Sequence, residues 1–185
     1  MIGDNAPEEA AQQDAAPLAA TVLGEAIHTS DPNELQEAIL SRLFDRYAAE
    51  HGIVVEPAEI DAYVAAVRSG EAAEGGAVEQ DETGAADELL RGMADAVIRR
   101  WKINKALYER NGGRIIYQQL GPEPLDAYRE FLEDSERQGA FKIVEAPMAA
   151  GFWRYFRDES MHDFMAPGGP DEAQAFVVPP WERGQ

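Results

Sequence analysis

Residues 101–133, WKINKALYERNGGRIIYQQLGPEPLDAYREFLE, constrain the fold of this chain more than any other stretch. They read as the end of a basic helix, a Gly112-Gly113 stop, a β-leaning run at 114–117, a turn at Gly121-Pro122-Glu123-Pro124 and a second amphipathic helix over about 122–138. Large apolar residues crowd this segment, and no catalytic constellation accompanies them. The pattern points to a shaped interaction domain.

The neighbouring elements follow from the same signals. Asp31-Pro32-Asn33-Glu34 is a helix start, with a capping aspartate, a proline at the first helical position and a glutamate at capping-box spacing. Leu35, Ile39, Leu43 and Tyr47 then recur every four residues, with Leu40 and Phe44 beside them, until His51-Gly52. A second helix is predicted from Pro57 to about Arg68, stopped by Gly70, with Ile60, Val64 and Val67 inward. The longest helix is predicted over about 86–110, with Leu90, Met93, Val97, Trp101 and Tyr108 near one face, Ala94 and Ile98 beside them, and Ile103 and Leu107 on another side. A last helix runs from Pro147 to about Arg157. Residues 22–27, with Gly24 as a turn or bulge, read as a first strand that pairs with 114–117 or with the apolar run 141–144.

The remaining segments are polar. Residues 1–17 are rich in Ala, Pro, Gln and acid and read as a disordered arm. Residues 70–86 read as a flexible internal loop, and the Pro/Gly-rich 166–185 as an extended tail. This leaves 18–165 as a single domain.

Charge narrows the partners. The net charge is −19 over 185 residues. Residues 1–90 carry 20 acidic and 3 basic side chains, whereas 91–185 carry 15 and 13. Such a chain repels nucleic acid and anionic membrane surfaces. No apolar run is long enough for membrane insertion. There is no Cys, hence no disulfide, thiol catalysis or thiolate metal site.

Motifs for chemistry are scarce. There is no P-loop, no G-x-S-x-G and no G-x-G-x-x-G after a strand. His28, His51 and His162 are far apart in sequence. Met161-His162-Asp163-Phe164-Met165 has the composition of a soft metal-ligand set, against the plainer reading of a turn with packing methionines. Glu130, Glu133 and Asp134 share one helix face and read as solvated, and nothing in the sequence marks a buried acid. No cofactor is expected.

Two features remain. Arg99, Arg100, Lys102 and Lys105 lie in a basic stripe with Arg91, Arg110 and Arg114. The stripe either compensates the acidic N-terminal helices or forms a docking face for an acidic partner. The aromatic residues Trp101, Tyr108, Tyr117, Tyr128, Phe152, Trp153 and Phe156 are mostly core material, with some lining a groove for polypeptide.

Val22-x-Gly24-x-x-Ile27, followed by a capped helix and by the connection Tyr47-Ala-Ala-Glu-His-Gly-Ile-Val-Val-Glu-Pro-Ala-Glu-Ile-Asp61, resembles the N-terminal chaperone domain of the SurA-type periplasmic foldases, parvulin-associated proteins. The resemblance covers about residues 20–110. It implies a SurA N-terminal-domain-like fold, chaperone activity and a periplasmic location, with a cytoplasmic one as the alternative. The sequence departs from the family in having no room for the isomerase domain, and its second half matches no part of the pattern.

The expectation is a mainly α domain of five or six helices with two or three short strands in a minor sheet. The expected function is a non-catalytic, chaperone-like module that holds unfolded or partner polypeptide in an apolar groove. One alternative is a dedicated partner subunit or homodimer with the aromatic face as its interface. Another is a metal-dependent enzyme using His162 and nearby acids.

Overall fold

Helix α1 begins where the sequence marks it, and its cap shows how the chain turns from sheet to helix. The computed structural model describes residues 16–73 and 84–183. Asp31 accepts a hydrogen bond from the Asn33 amide at 2.8 Å. Glu34 does not close the box directly. Its carboxylate accepts the Thr29 hydroxyl at 2.6 Å, and that hydroxyl accepts the Asp31 amide at 3.0 Å. The buried Thr29 thus relays the box and ties the strand exit to the helix start.

The order of elements is β1 (Leu18–Val22), β2 (Glu25–His28), α1 (Pro32–Glu50), α2 (Pro57–Ala73), α3 (Ala85–Asn111), α4 (Leu125–Arg137), β3 (Phe141–Ile143), α5 (Ala146–Arg157) and α6 (Pro170–Gln174). Single 3-10 turns span Glu159–Met161 and Pro180–Glu182. The described chain is therefore mainly helical, with one antiparallel three-stranded sheet in the order β2-β1-β3.

The predicted strand at 22–27 is instead a hairpin. Val22 pairs with Glu25 across Leu23 and Gly24, which both have positive φ, +52° and +83°. A two-residue loop with two positive φ values matches the right-handed twist of its strands. Of the two predicted partners for the first strand, β3 is the one used, with Val22 opposite Phe141. Residues 114–117 contribute only single bridges, from Ile116 to Glu123 and to Phe164.

The four-residue ladder of α1 is buried along its length, as are Leu40 and Phe44. It packs with Ile103 and Leu107 of α3, Leu125, Tyr128 and Leu132 of α4, Phe152, Trp153 and Phe156 of α5, and the sheet residues Val22, Phe141 and Ile143. Burying each Leu or Ile here contributes about 2 kcal/mol.

Three expectations need correction. Gly70 does not stop α2, which continues to Ala73; an exposed glycine inside a helix costs only about 1 kcal/mol. Met93 is 52% exposed, as is Leu89 at 67%, because α3 turns Ala94 and Ile98 toward Val64 of α2 instead. The tail is not simply extended. It forms α6 and buries Ala175 and Phe176 against Trp101, Ile115 and Met165. The predicted arm at residues 1–15 and the middle of the predicted loop, residues 74–83, lie outside the described residues. The ends of that loop are helical.

Candidate functional site

Five of the seven aromatics singled out for a groove are buried. Tyr128, Phe152 and Phe156 are at most 3% exposed, Trp153 is 7% and Trp101 is 9% exposed. Phe152, Trp153 and Phe156 pack edge-on and tilted against one another and against Phe141 in the main core. Trp101 and the half-buried Tyr108 are covered by the chain's own Phe176, with ring centroids at 6.3 and 5.2 Å. Trp181 closes over Trp101 and over Tyr63 of α2. Tyr117 is exposed and donates its hydroxyl to Asp171 of α6 at 2.5 Å. The five buried side chains hold the fold, and Trp101 and Tyr108 are covered by the chain's own tail.

The basic stripe faces the acidic helices. Arg99 pairs with Asp45 at 3.0 Å and Arg100 with Glu37 at 3.7 Å, both on α1, and Arg100 also lies over the Phe44 ring at 5.0 Å. Lys102 reaches Glu59 of α2 at 2.5 Å and the Val54 carbonyl at 2.7 Å. Partial burial alone would raise the Glu59 carboxyl, but the hydrogen bonds from Lys102 and from the Glu56 amide hold it below its ordinary value. Lys105 pairs with Glu109 at 3.9 Å and lies over Trp101. Of the two readings of this stripe, these contacts favour internal compensation.

The histidines are held by backbone. His51 caps α1 through a 2.8 Å contact from Nδ1 to the Tyr47 carbonyl and stacks on the Tyr47 ring. His162 meets the Tyr155 carbonyl at 2.5 Å through Nε2, and His28 meets the Ala16 carbonyl at 3.1 Å. Among the described residues, no group of three His, Asp or Glu side chains is placed to hold a metal.

What the sequence did not single out is a cavity of about 510 Å³ between α3 and the loop at 117–122. Its base is set by the bridge between Ile116 and Glu123, with backbone hydrogen bonds of 2.9 and 3.2 Å. Just before the loop, Gly113 has φ +88°, and a Cβ there would lie 2.5 Å from Asp126 Cβ. That close approach lets the Arg114 amide and side chain bond the Asp126 carboxylate at 2.8, 2.9 and 3.1 Å. The chain end of α3 is thereby fixed to the first turn of α4, and the loop hangs from a rigid base.

Inside the cavity a polar network surrounds Glu123. The Tyr155 hydroxyl of α5 donates to Glu123 at 2.9 Å and accepts from the Gln118 amide at 2.9 Å. Behind it, buried Asn104 of α3 accepts the Tyr128 hydroxyl and donates to the Pro122 carbonyl at 3.0 Å. Arg100 and Glu37 line the wall, and Ala96, Val97 and Leu120 supply its apolar surface. Glu123 is half-buried. Burial pushes its carboxyl above the ordinary value, against the opposing pull of the Tyr155 hydrogen bond and of the nearby Arg100. Burial and the nearby Glu123 charge also raise the Tyr155 phenol, which therefore stays a hydrogen-bond donor.

Nothing in the sequence marks Glu123 as a partly buried acid. Its one sequence signal is its place between two prolines directly after a β-leaning run, a context that holds the backbone but leaves the side chain's surroundings unstated. A cavity with mixed lining and a carboxyl of raised pKa has the features of a ligand site.

From Leu120 at the rim, an apolar line continues along the exposed face of α3. Met93 and Leu89 lie one and two turns before Val97 and cover roughly 12 Å of helix. Among the described residues, no helix is long and apolar enough to cross a membrane. No family model, curated protein or solved structure matches this chain.

Proposed function

We propose that this chain is a non-catalytic polypeptide-binding module, with its docking surface along the exposed face of α3 and in the adjoining cavity. The observation that carries this reading is the alignment of Leu89, Met93 and Val97 at helical spacing, ending at the cavity that Leu120 rims. Large apolar side chains gathered on one line of a highly charged surface mark an interaction site. The occupant is a segment of polypeptide that lays apolar side chains on the α3 face and sets one side chain into the cavity. Binding is reversible burial of those side chains, while the charge of −19 keeps the complex in solution. The resemblance of residues 20–110 to the foldase chaperone domain points the same way, and with it to export to the periplasm.

Calorimetric titration with short apolar peptides tests the reading. Micromolar binding that is lost in Met93→Glu, with the helical circular dichroism retained, is the expected result. The absence of both peptide binding and any delay in the aggregation of an unfolded client would overturn it. Self-association seen by light scattering and abolished by the same substitution would place a second copy of the chain on the α3 face instead.

A further inference from the structure

We infer that the cavity selects a basic side chain, so that a lysine or arginine of the bound polypeptide enters it and pairs with Glu123 while neighbouring apolar residues lie on Leu120 and the α3 stripe. This rests on the polypeptide-binding reading and names the chemistry of its partner.

Most donors and acceptors around Glu123 are committed within the fold. The Tyr155 hydroxyl donates to Glu123 and accepts from Gln118. Asn104 uses its oxygen for Tyr128 and its amide for Pro122. These groups are occupied in the fold. Among the described residues the second Glu123 carboxyl oxygen receives no hydrogen bond, and its acceptor capacity is available to a ligand.

Two other partly buried carboxylates each have a cation. Asp126 has Arg114 and Arg129, at 2.9 and 3.3 Å, and Glu59 has Lys102 at 2.5 Å. Both carboxyls are held below their ordinary values. Glu123 makes no ion pair among the described residues, and its carboxyl moves in the opposite direction. A partly buried carboxylate without a cation is costly in the free protein, and a ligand cation offsets that cost. Arg100 acts on Glu123 through its charge but makes its ion pair with Glu37 and rests on Phe44.

Charge complementarity selects the same partner. With Glu123 ionised, the cavity wall holds two carboxylates and one guanidinium. The whole chain, at −19, attracts basic segments over longer range. A long aliphatic stem with a terminal cation passes the apolar Val97 and Leu120 and delivers its charge at the floor.

The pH dependence has a definite sign. The groups facing Glu123 are Glu37 of α1, Arg100 of α3, Tyr128 of α4, Tyr155 of α5 and His162 beyond it. A cation binds the ionised carboxyl, so protonation of Glu123 on acidification weakens binding.

The test uses two apolar host peptides that differ only in a central lysine or norleucine, titrated into the full chain and into Glu123→Gln by fluorescence anisotropy. The lysine peptide is expected to bind about tenfold tighter to the native chain. In Glu123→Gln, which keeps an acceptor for Tyr155, the two peptides are expected to bind alike. That preference should also shrink as the pH falls through the raised Glu123 value. Equal affinities of both peptides for the native chain would overturn the inference and leave the binding reading standing. If neither peptide binds the native chain, both readings are overturned.

Discussion

On one side of residues 118–121, Trp101, Ile115 and Met165 are covered by the chain's own Ala175 and Phe176. On the other, the cavity over Glu123 and Tyr155 opens beside the exposed Leu120. The two clefts differ in lining. The first is almost wholly apolar, and a covalently attached segment closes it without an association cost. The second contains an acid whose hydrogen-bonding capacity the fold does not use up. In this molecule aromatic density marks the core, and a partly buried acid that makes no ion pair among the described residues marks the candidate site. The same contrast recurs over three residues of sequence, where Glu123 and Asp126 have carboxyls shifted in opposite directions.

The largest effect tests whether the tail truly closes the first cleft. Phe176→Ala removes a side chain that is 7% exposed and packs on Trp101 and Tyr108. It is expected to cost about 3 kcal/mol in urea denaturation, with altered tryptophan fluorescence. A loss below about 1 kcal/mol, within the range of an ordinary surface change, would break the comparison by making the tail a loose cover.

Asp126→Asn comes next. It removes the carboxylate that receives the Arg114 amide and guanidinium and pairs with Arg129, at an expected cost of about 2 kcal/mol. The Asp126 carboxyl is held below its ordinary value by those bonds from Arg114. Its stabilisation is therefore complete above the unfolded value of 3.8 and is lost as the pH falls through the depressed one. The difference between native and variant stability should be constant near neutrality and shrink below that pH.

Much of the fold can be read from local signals. The α1 ladder, the Asp31-Pro32 start and the Gly112 stop act within a few residues, and each sits where the sequence places it. The pairing of the first strand with the run near Phe141 was also legible as one of two options. What was missed depends on contacts distant in sequence. Leu23 adopts positive φ because the hairpin requires it, which its residue type disfavours. Met93 fits the helical period yet faces outward, since Val64 of α2 selects Ala94 and Ile98. Phe176 lies in a Pro/Gly-rich tail whose composition conceals its burial against Trp101. The site was least legible of all. The environment of Glu123 is made by Tyr155, Arg100 and Gln118, which come from α5, α3 and the loop, and no spacing pattern records that meeting.

Glu123→Gln sharpens the contrast between the two acids. Because the folded protein raises this carboxyl, ionisation opposes folding. The penalty is absent below the ordinary value of 4.5, grows as the pH rises and is complete above the raised value. Glutamine keeps an oxygen for the Tyr155 hydroxyl and carries no charge. The variant is expected to be more stable than the native chain by about 1 kcal/mol at neutral pH, with the gain vanishing in acid. A loss of stability at pH 7 would show that Glu123 is satisfied within the fold and would remove its distinction from Asp126.

The smallest stability effect belongs to Leu120, and for that reason it separates folding from binding. The side chain is 70% exposed at the cavity rim, so Leu120→Asn forfeits little buried surface and should change stability by less than about 0.5 kcal/mol. If the cavity and the α3 face form one docking surface, the same substitution removes the apolar bridge between them. Peptide affinity should then fall several-fold while the denaturation midpoint stays in place. Unchanged affinity would mean that the two halves of the surface do not act together, and the open cleft would then be read as a cavity alone.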